Sequence, residues 1–175
     1  MGGRRCVLAR IGPDVHHAIR QTLVVVVVGQ TPPPYGGQAM MIANLLKGRY
    51  SDVRLVHVRM AFSNELQETG RVNLRKLVHV PVLAGRIAVA RYRAGASVLY
   101  YPPSGADRLP LYRDLALLVA TRWMFAGTIL HFHAGGVHEV YERLSPLGAA
   151  AFRRAYFGAD AGVRTSALAP DDAAR

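Results

Sequence analysis

The segment Leu23–Gly37, LVVVVVGQTPPPYGG, does more than any other to limit what this chain can fold into. A run of Leu23 and five valines puts apolar side chains on both faces of a strand. That suits a parallel strand in the middle of a sheet whose two sides are covered by helices. The run stops at Gly29, crosses Pro32, Pro33 and Pro34, and reaches Gly36-Gly37. Next comes QAMMIANLLKG, in which Met41, Ile42, Leu45 and Leu46 recur at helical spacing and Gly48 marks the end. Strand, glycine loop and helix in this order set free backbone N–H groups and a helix N-terminus against a phosphate. Neither GxGxxG nor GxxxxGK[ST] is present. The prolines stiffen the entry to the turn, and the two glycines then let backbone approach a ligand closely.

From Leu23 the chain alternates strand and helix. The pattern predicts a helix over Gly36–Lys47, a second strand at Val53–Arg59, and a long helical segment at Val72–Ala94, interrupted near Pro81. A third strand is expected at Ser97–Tyr101, a helix at Arg108–Ala126 and a fourth strand at Thr128–His133. Mixed helix at Val140–Phe157 and a fifth strand at Asp160–Thr165 complete the pattern. This succession implies an α/β fold, a Rossmann-like parallel sheet flanked by helices with right-handed crossovers. Ligands in such sheets sit beyond the carboxyl ends of the strands. Gly36-Gly37, Ser63-Asn64, Ser104-Gly105 and His133–Gly136 all fall at those ends, so they should meet on one rim.

Three landmarks in order carry a resemblance: PPPYGGQAMMIANLL, then TILHFHAGG at Thr128–Gly136, then GADAGVRTSALAPDD. Together they resemble the N-terminal half of GT-B glycosyltransferases, in particular family four of retaining, nucleotide-sugar-dependent enzymes. The resemblance runs from Leu23 to the C-terminus. Met1–Thr22 reads as an irregular leader, and the resemblance implies a Rossmann-like N-terminal domain at 23–175, with the C-terminal donor-binding domain absent. The chain stops at Asp172–Arg175 where a helix is due, so a truncated form is expected, with little or no transfer by the chain alone. The resemblance also assigns roles. Gly36 and Gly37 would contact the donor diphosphate, and His133 the donor sugar near the reaction centre. Ser63, Asn64, Ser104 and Gly105 would lie in acceptor-side loops. No metal and no cofactor is implied, the nucleotide-sugar being the donor substrate.

The residues themselves leave other readings open. His131 and His133 share one face of the fourth strand. With His138 and Glu139 they could form a metal site, but the spacing fits no zinc pattern. Tyr35 could line the cleft or cover the turn. Glu65, Glu68, Asp107, Glu139 and Glu142 lie near loops, and no two of them form a diagnostic pair. Front-face attack assisted by the leaving diphosphate, as the family implies, needs no protein nucleophile. Two rivals stand beside the transferase: a non-catalytic partner subunit of a split enzyme, and a nucleotide-dependent oxidoreductase. Against the latter, GxGxxG is missing and Arg59 ends the second strand where an acidic residue would be needed.

Charge narrows the partners. The net charge is +11, carried mostly by arginine, and the sequence pI is about 10.6. Arg71, Arg75, Lys76, Arg86, Arg91 and Arg93 sit among the apolar residues of Val72–Ala94. That pattern is either a solvated face or an amphipathic surface for anionic lipid, as a lipid-linked acceptor would suit. Nucleic-acid binding is not expected, because no aromatic stacking platform accompanies the charge. The lone Cys6 allows no internal disulfide, and the valine run is far shorter than the ~20 residues that span a bilayer. Met1–Thr22 contains Pro13, Asp14 and two histidines and lacks a signal-peptide pattern, so a cytoplasmic location, peripheral to the membrane, is expected.

Overall fold

The computed structural model describes residues 22–33, 35–60, 74–105, 108–133 and 136–165. Five strands, β1 (Leu23–Gly29), β2 (Val53–Arg59), β3 (Val98–Tyr101), β4 (Gly127–Phe132) and β5 (Ala161–Arg164), form one sheet in the order β2-β1-β3-β4-β5. Every pairing is parallel. The helices are α1 (Gly37–Lys47), α2 (Leu74–Ala94), α3 (Arg108–Thr121), α4 (Val137–Tyr141) and α5 (Pro146–Ala155). This is the α/β, Rossmann-like architecture that the alternating pattern implies. The expected 1–22 leader lies almost wholly outside the described residues.

The valine run sits where its composition requires. β1 lies between β2 and β3, and Val26, Val27 and Val28 are fully buried. Alternation splits the run between two cores. Val26 and Val28 face a large core with Leu83 and Ile87 of α2, Leu111 and Leu118 of α3, and Phe152 of α5. Val25 and Val27 face a small one with Ile42 of α1 and Tyr100 of β3. One helix therefore covers one side of the sheet near β1, while α2, α3 and α5 cover the other. Gly29 permits the close seat of α1, since a Cβ there would meet Ile42 Cδ1 and Cγ1 at 3.0 Å.

Three boundaries differ from the sequence pattern. α2 runs unbroken through Pro81. Pro81 lies on the exposed side, and burial of Leu83 and Ile87 offsets the lost backbone bond. α3 stops at Thr121, whose hydroxyl turns back to donate to Leu117 O at 2.7 Å, and a 3₁₀ turn, Arg122–Met124, follows. The region before β5 resolves into two helices. Gly136, at φ +88°, begins α4 in a conformation that favours glycine. Ser145 caps α5, its hydroxyl accepting from Gly148 N, with Pro146 in the first turn. At the far end of α5, Arg122 donates to the carbonyls of Arg154, Ala155, Phe157 and Gly158. β5 is held at its start by a reciprocal clasp: Thr128 N donates to Asp160 Oδ2 at 2.7 Å, and Asp160 N to Thr128 O at 3.0 Å.

Candidate functional site

All five strands point the same way, so the loops after β1, β3 and β4 share the rim at their carboxyl ends. The strand order reverses between β1 and β3, the kind of switch point at which open parallel sheets bind their ligands. α1 begins beside it. Its N-cap, Gly36, is extended and offers no side-chain hydrogen bond, and its first turn carries no acidic residue. The first amides of the helix therefore have no side-chain cap, and the positive end of the helix dipole is not neutralised by a carboxylate of its own. A Cβ built on either Gly36 or Gly37 would meet nothing within 4 Å. These glycines are not needed for packing.

The base of this loop is pinned from β2. His57 Nε2 donates to Gly29 O at 3.0 Å, Met60 N to the same oxygen at 3.0 Å, and Arg59 Nη2 to Pro33 O at 3.3 Å. Arg59 thus fills a donor's role that a carboxylate could not. Tyr35 is 80% exposed and does not cover the turn. From α1, Gln38 Nε2 donates to Pro102 O at 3.0 Å and ties the helix start to the loop after β3.

His131 of β4 and His133, just beyond the strand's end, lie on the α1 side of the sheet. Tyr100 Oη is in a short hydrogen bond with His131 Nδ1 and lies 3.6 Å from Met41 Sδ, one helical turn from Gly37. His131 and His133 stack, with ring centroids 4.3 Å apart and planes inclined by 28°. His133 Nε2 is buried and finds no hydrogen-bond partner among the described residues. A buried polar atom left so in a native fold calls for an explanation. Burial pushes the Tyr100 hydroxyl up to about 12, with the nearby Tyr50 adding to it. Burial lowers His131, with His133 contributing, and burial lowers His133. Both shifts favour the neutral rings.

That direction has a consequence for acid stability. A histidine held below its ordinary 6.5 binds fewer protons folded than unfolded once the pH drops under that value. The fold is then penalised as the pH falls from 6.5 toward the lowered values. Urea unfolding between pH 7.5 and 5 should show a shallower loss of stability for His131→Gln/His133→Gln than for the parent chain. An equal or steeper loss in the double variant would contradict the burial argument.

The loop after β3 is held by a group that sequence reasoning did not single out. Asp114 of α3 is fully buried and accepts from Tyr101 Oη at 2.7 Å and Ser104 N at 2.7 Å. It also pairs with Arg113, whose Nε and Nη2 approach Oδ1 at 2.9 and 2.8 Å. Arg113 Nη2 further donates to Ser104 Oγ at 2.6 Å. Burial pushes the Tyr101 hydroxyl well up, and the Asp114 charge adds to the shift. Burial disfavours the charged Arg113, but Asp114, with Tyr101 and Tyr156 adding to it, outweighs burial and raises the guanidinium. A signal existed: Asp114 falls among Leu111, Leu115 and Leu118, on the apolar face of the helix.

The structure therefore places Gly36, Gly37, Ser104, Gly105 and His133 on one rim, with Ser104 engaged in the Asp114 clamp. Ser63, Asn64, Glu65, Glu68 and Asp107 lie outside the described residues. Glu142 is exposed. No group of three or more His, Cys, Asp or Glu able to hold a metal occurs among the described residues. Nor is any described helix long and apolar enough to cross a membrane. No protein-family model matches the chain, and no curated protein or solved structure matches it either.

Proposed function

We propose that the chain is the N-terminal half of a retaining GT-B glycosyltransferase that moves a sugar from a nucleoside diphosphate to an acceptor hydroxyl. The observation that carries the reading is the open space above Gly36-Gly37, at an uncapped helix start, on the rim that holds His133. Main-chain N–H groups there suit a diphosphate, which needs preorganised donors as its charge grows. His133, which follows β4 on that rim, suits contact with a hydroxyl of the donor sugar. In this scheme the acceptor oxygen bonds to the anomeric carbon while the bond from that carbon to the diphosphate breaks on the same face. The hydroxyl proton passes to the departing diphosphate. The chain's own work is positioning, with no metal or cofactor required. Ser104 and Gly105 border the acceptor side.

Gly37→Ala separates this reading from a bland one. Alanine in the first turn of α1 has room and favours helix, so stability should hold or rise by up to about 1 kcal/mol. The added methyl stands where the diphosphate would lie, so affinity for a nucleoside-diphosphate sugar should fall at least about tenfold, roughly 1.4 kcal/mol. Titration of a panel of such sugars, followed by the amide signals of Gly36–Ala39, reads both. Binding undiminished in the variant, or no panel member perturbing those amides in the parent, would remove the basis of the assignment.

A lipid-linked acceptor and peripheral membrane contact are supported by α2. Val82, Val89 and Tyr92 are 54%, 50% and 65% exposed, and Arg86 and Arg93 are exposed in the same stripe. Arg91 departs from the expected basic face: it turns inward, with Nε donating to Met124 O at 2.8 Å and the guanidinium over Phe125. Apolar residues flanked by outward arginines suit the surface of an anionic bilayer. Sedimentation with vesicles containing phosphatidylglycerol should recover the chain, and phosphatidylcholine vesicles should not. Val82→Asp/Val89→Asp should reduce recovery about tenfold, since each charge opposes insertion and the anionic headgroups. Equal recovery by both vesicle types would argue against the surface.

A further inference from the structure

We infer that Tyr100 and His131 are positioning residues for His133: the Tyr100 hydroxyl fixes the tautomer of His131, and the stacked His131 ring fixes the plane of His133. The inference rests on the transferase reading only for the statement that His133 meets the donor; the ordering itself exists without ligand.

The hydroxyl of Tyr100 has one proton and, among the described residues, two hydrogen-bonding neighbours, His131 Nδ1 and Met41 Sδ. A thioether sulfur is a weak acceptor and an imidazole nitrogen a strong one, so the proton goes to Nδ1. His131 then carries its own hydrogen on Nε2. The pairing register explains why these groups meet. Tyr100 stands opposite Ile129, which makes His131 its diagonal neighbour on the same face of the sheet. His133 follows Phe132, the last residue of β4, so the strand's hydrogen bonds do not fix it. Two side chains do so instead. Phe132 is buried on the opposite face near Tyr156, their centroids 6.2 Å apart, and anchors the strand end. On the near face, the His131 ring lies against that of His133 at 4.3 Å. The order runs from a buried phenol through one imidazole to a second. The second keeps a buried nitrogen without a partner among the described residues. A ring held by stacking keeps one orientation, which a mobile imidazole does not.

The test uses the full chain labelled with ¹⁵N-histidine, at pH 8, read by long-range ¹⁵N–¹H spectra of the imidazoles. His131 should show a single Nε2–H tautomer. Tyr100→Phe keeps the ring volume and removes the donor, so His131 should become a tautomeric mixture and the His133 signals should shift or broaden. Met41→Leu removes the competing acceptor and should leave the His131 tautomer as it is. Matching thermal midpoints confirm that both variants fold. An Nδ1–H tautomer in the parent, unchanged spectra in Tyr100→Phe, or a tautomer change in Met41→Leu would overturn the inference. As a second readout, Tyr100→Phe should weaken a nucleoside-diphosphate sugar about tenfold while leaving the sugar-free nucleoside diphosphate unaffected. Equal loss for both would also count against it. Absence of any binding by the parent chain would count against the transferase reading, and the tautomer spectra would still decide this one.

Discussion

Asp114→Ala should cost about 3–5 kcal/mol of folding free energy, the range expected when one partner of a buried ion pair is removed. The carboxylate is fully buried, and three groups depend on it: the Tyr101 hydroxyl, the Ser104 amide and the Arg113 guanidinium. Deleting it strands a buried phenol and a mostly covered cation at once. The cost reflects the groups left behind more than the worth of the pair. Tyr101→Phe should be milder, about 1–2 kcal/mol, because Asp114 keeps its other donors. Equilibrium urea unfolding measures both. A loss below 1 kcal/mol for Asp114→Ala would mean that water or a neighbour can replace the carboxylate. Because Ser104 hangs on the same carboxylate, the loop after β3 should lose its fixed position in the variant, which amide signals of Ser104 and Gly105 would register.

Phe152→Ala should be comparably damaging, again about 3–5 kcal/mol, through a different mechanism. Phe152 is fully buried on α5 and packs against three rings. Tyr156 is stacked on it at 4.5 Å between centroids, with Tyr141 at 5.3 Å and Phe157 at 5.4 Å. Alanine would leave a cavity that three stiff rings cannot collapse to fill. Leu147, in the same helix, is 82% exposed, and Leu147→Ala should change stability by no more than about 0.5 kcal/mol. The contrast between the two midpoints tests whether α5 is anchored by this cluster. Similar effects for both would mean it is not.

Much of the fold is legible in particular residues. Five adjacent valines fit a strand covered on both sides, and the strand-helix alternation orders everything after it. What escaped was settled by tertiary packing. Pro81 reads as a break, but a proline on the exposed side of a helix whose opposite face buries Leu83 and Ile87 is outvoted. The end of α3 is set by the Thr121 hydroxyl and a 3₁₀ turn, details that hydrophobic periodicity does not encode. In the candidate site, Gly36, Gly37 and His133 could be named from their places at strand ends. Tyr100, Met41 and Gln38 could not, because their roles depend on strand register and on how α1 sits on the sheet. Asp114 was within reach: a carboxylate on a leucine-lined helical face has to be explained.

The lopsided distribution of buried side chains bears on how this molecule breathes. α1 rests on a small cluster whose buried members are Val25, Val27, Ile42 and Tyr100, whereas α2, α3 and α5 share a much larger one. Partial unfolding follows the weakest cooperative unit, so α1 can detach at a smaller free-energy cost than the opposite layer. Any anion gripping its leading amides would suppress that excursion in proportion to occupancy. Recognition and local rigidity would then be two readings of a single equilibrium, with the glycine pair at its fulcrum.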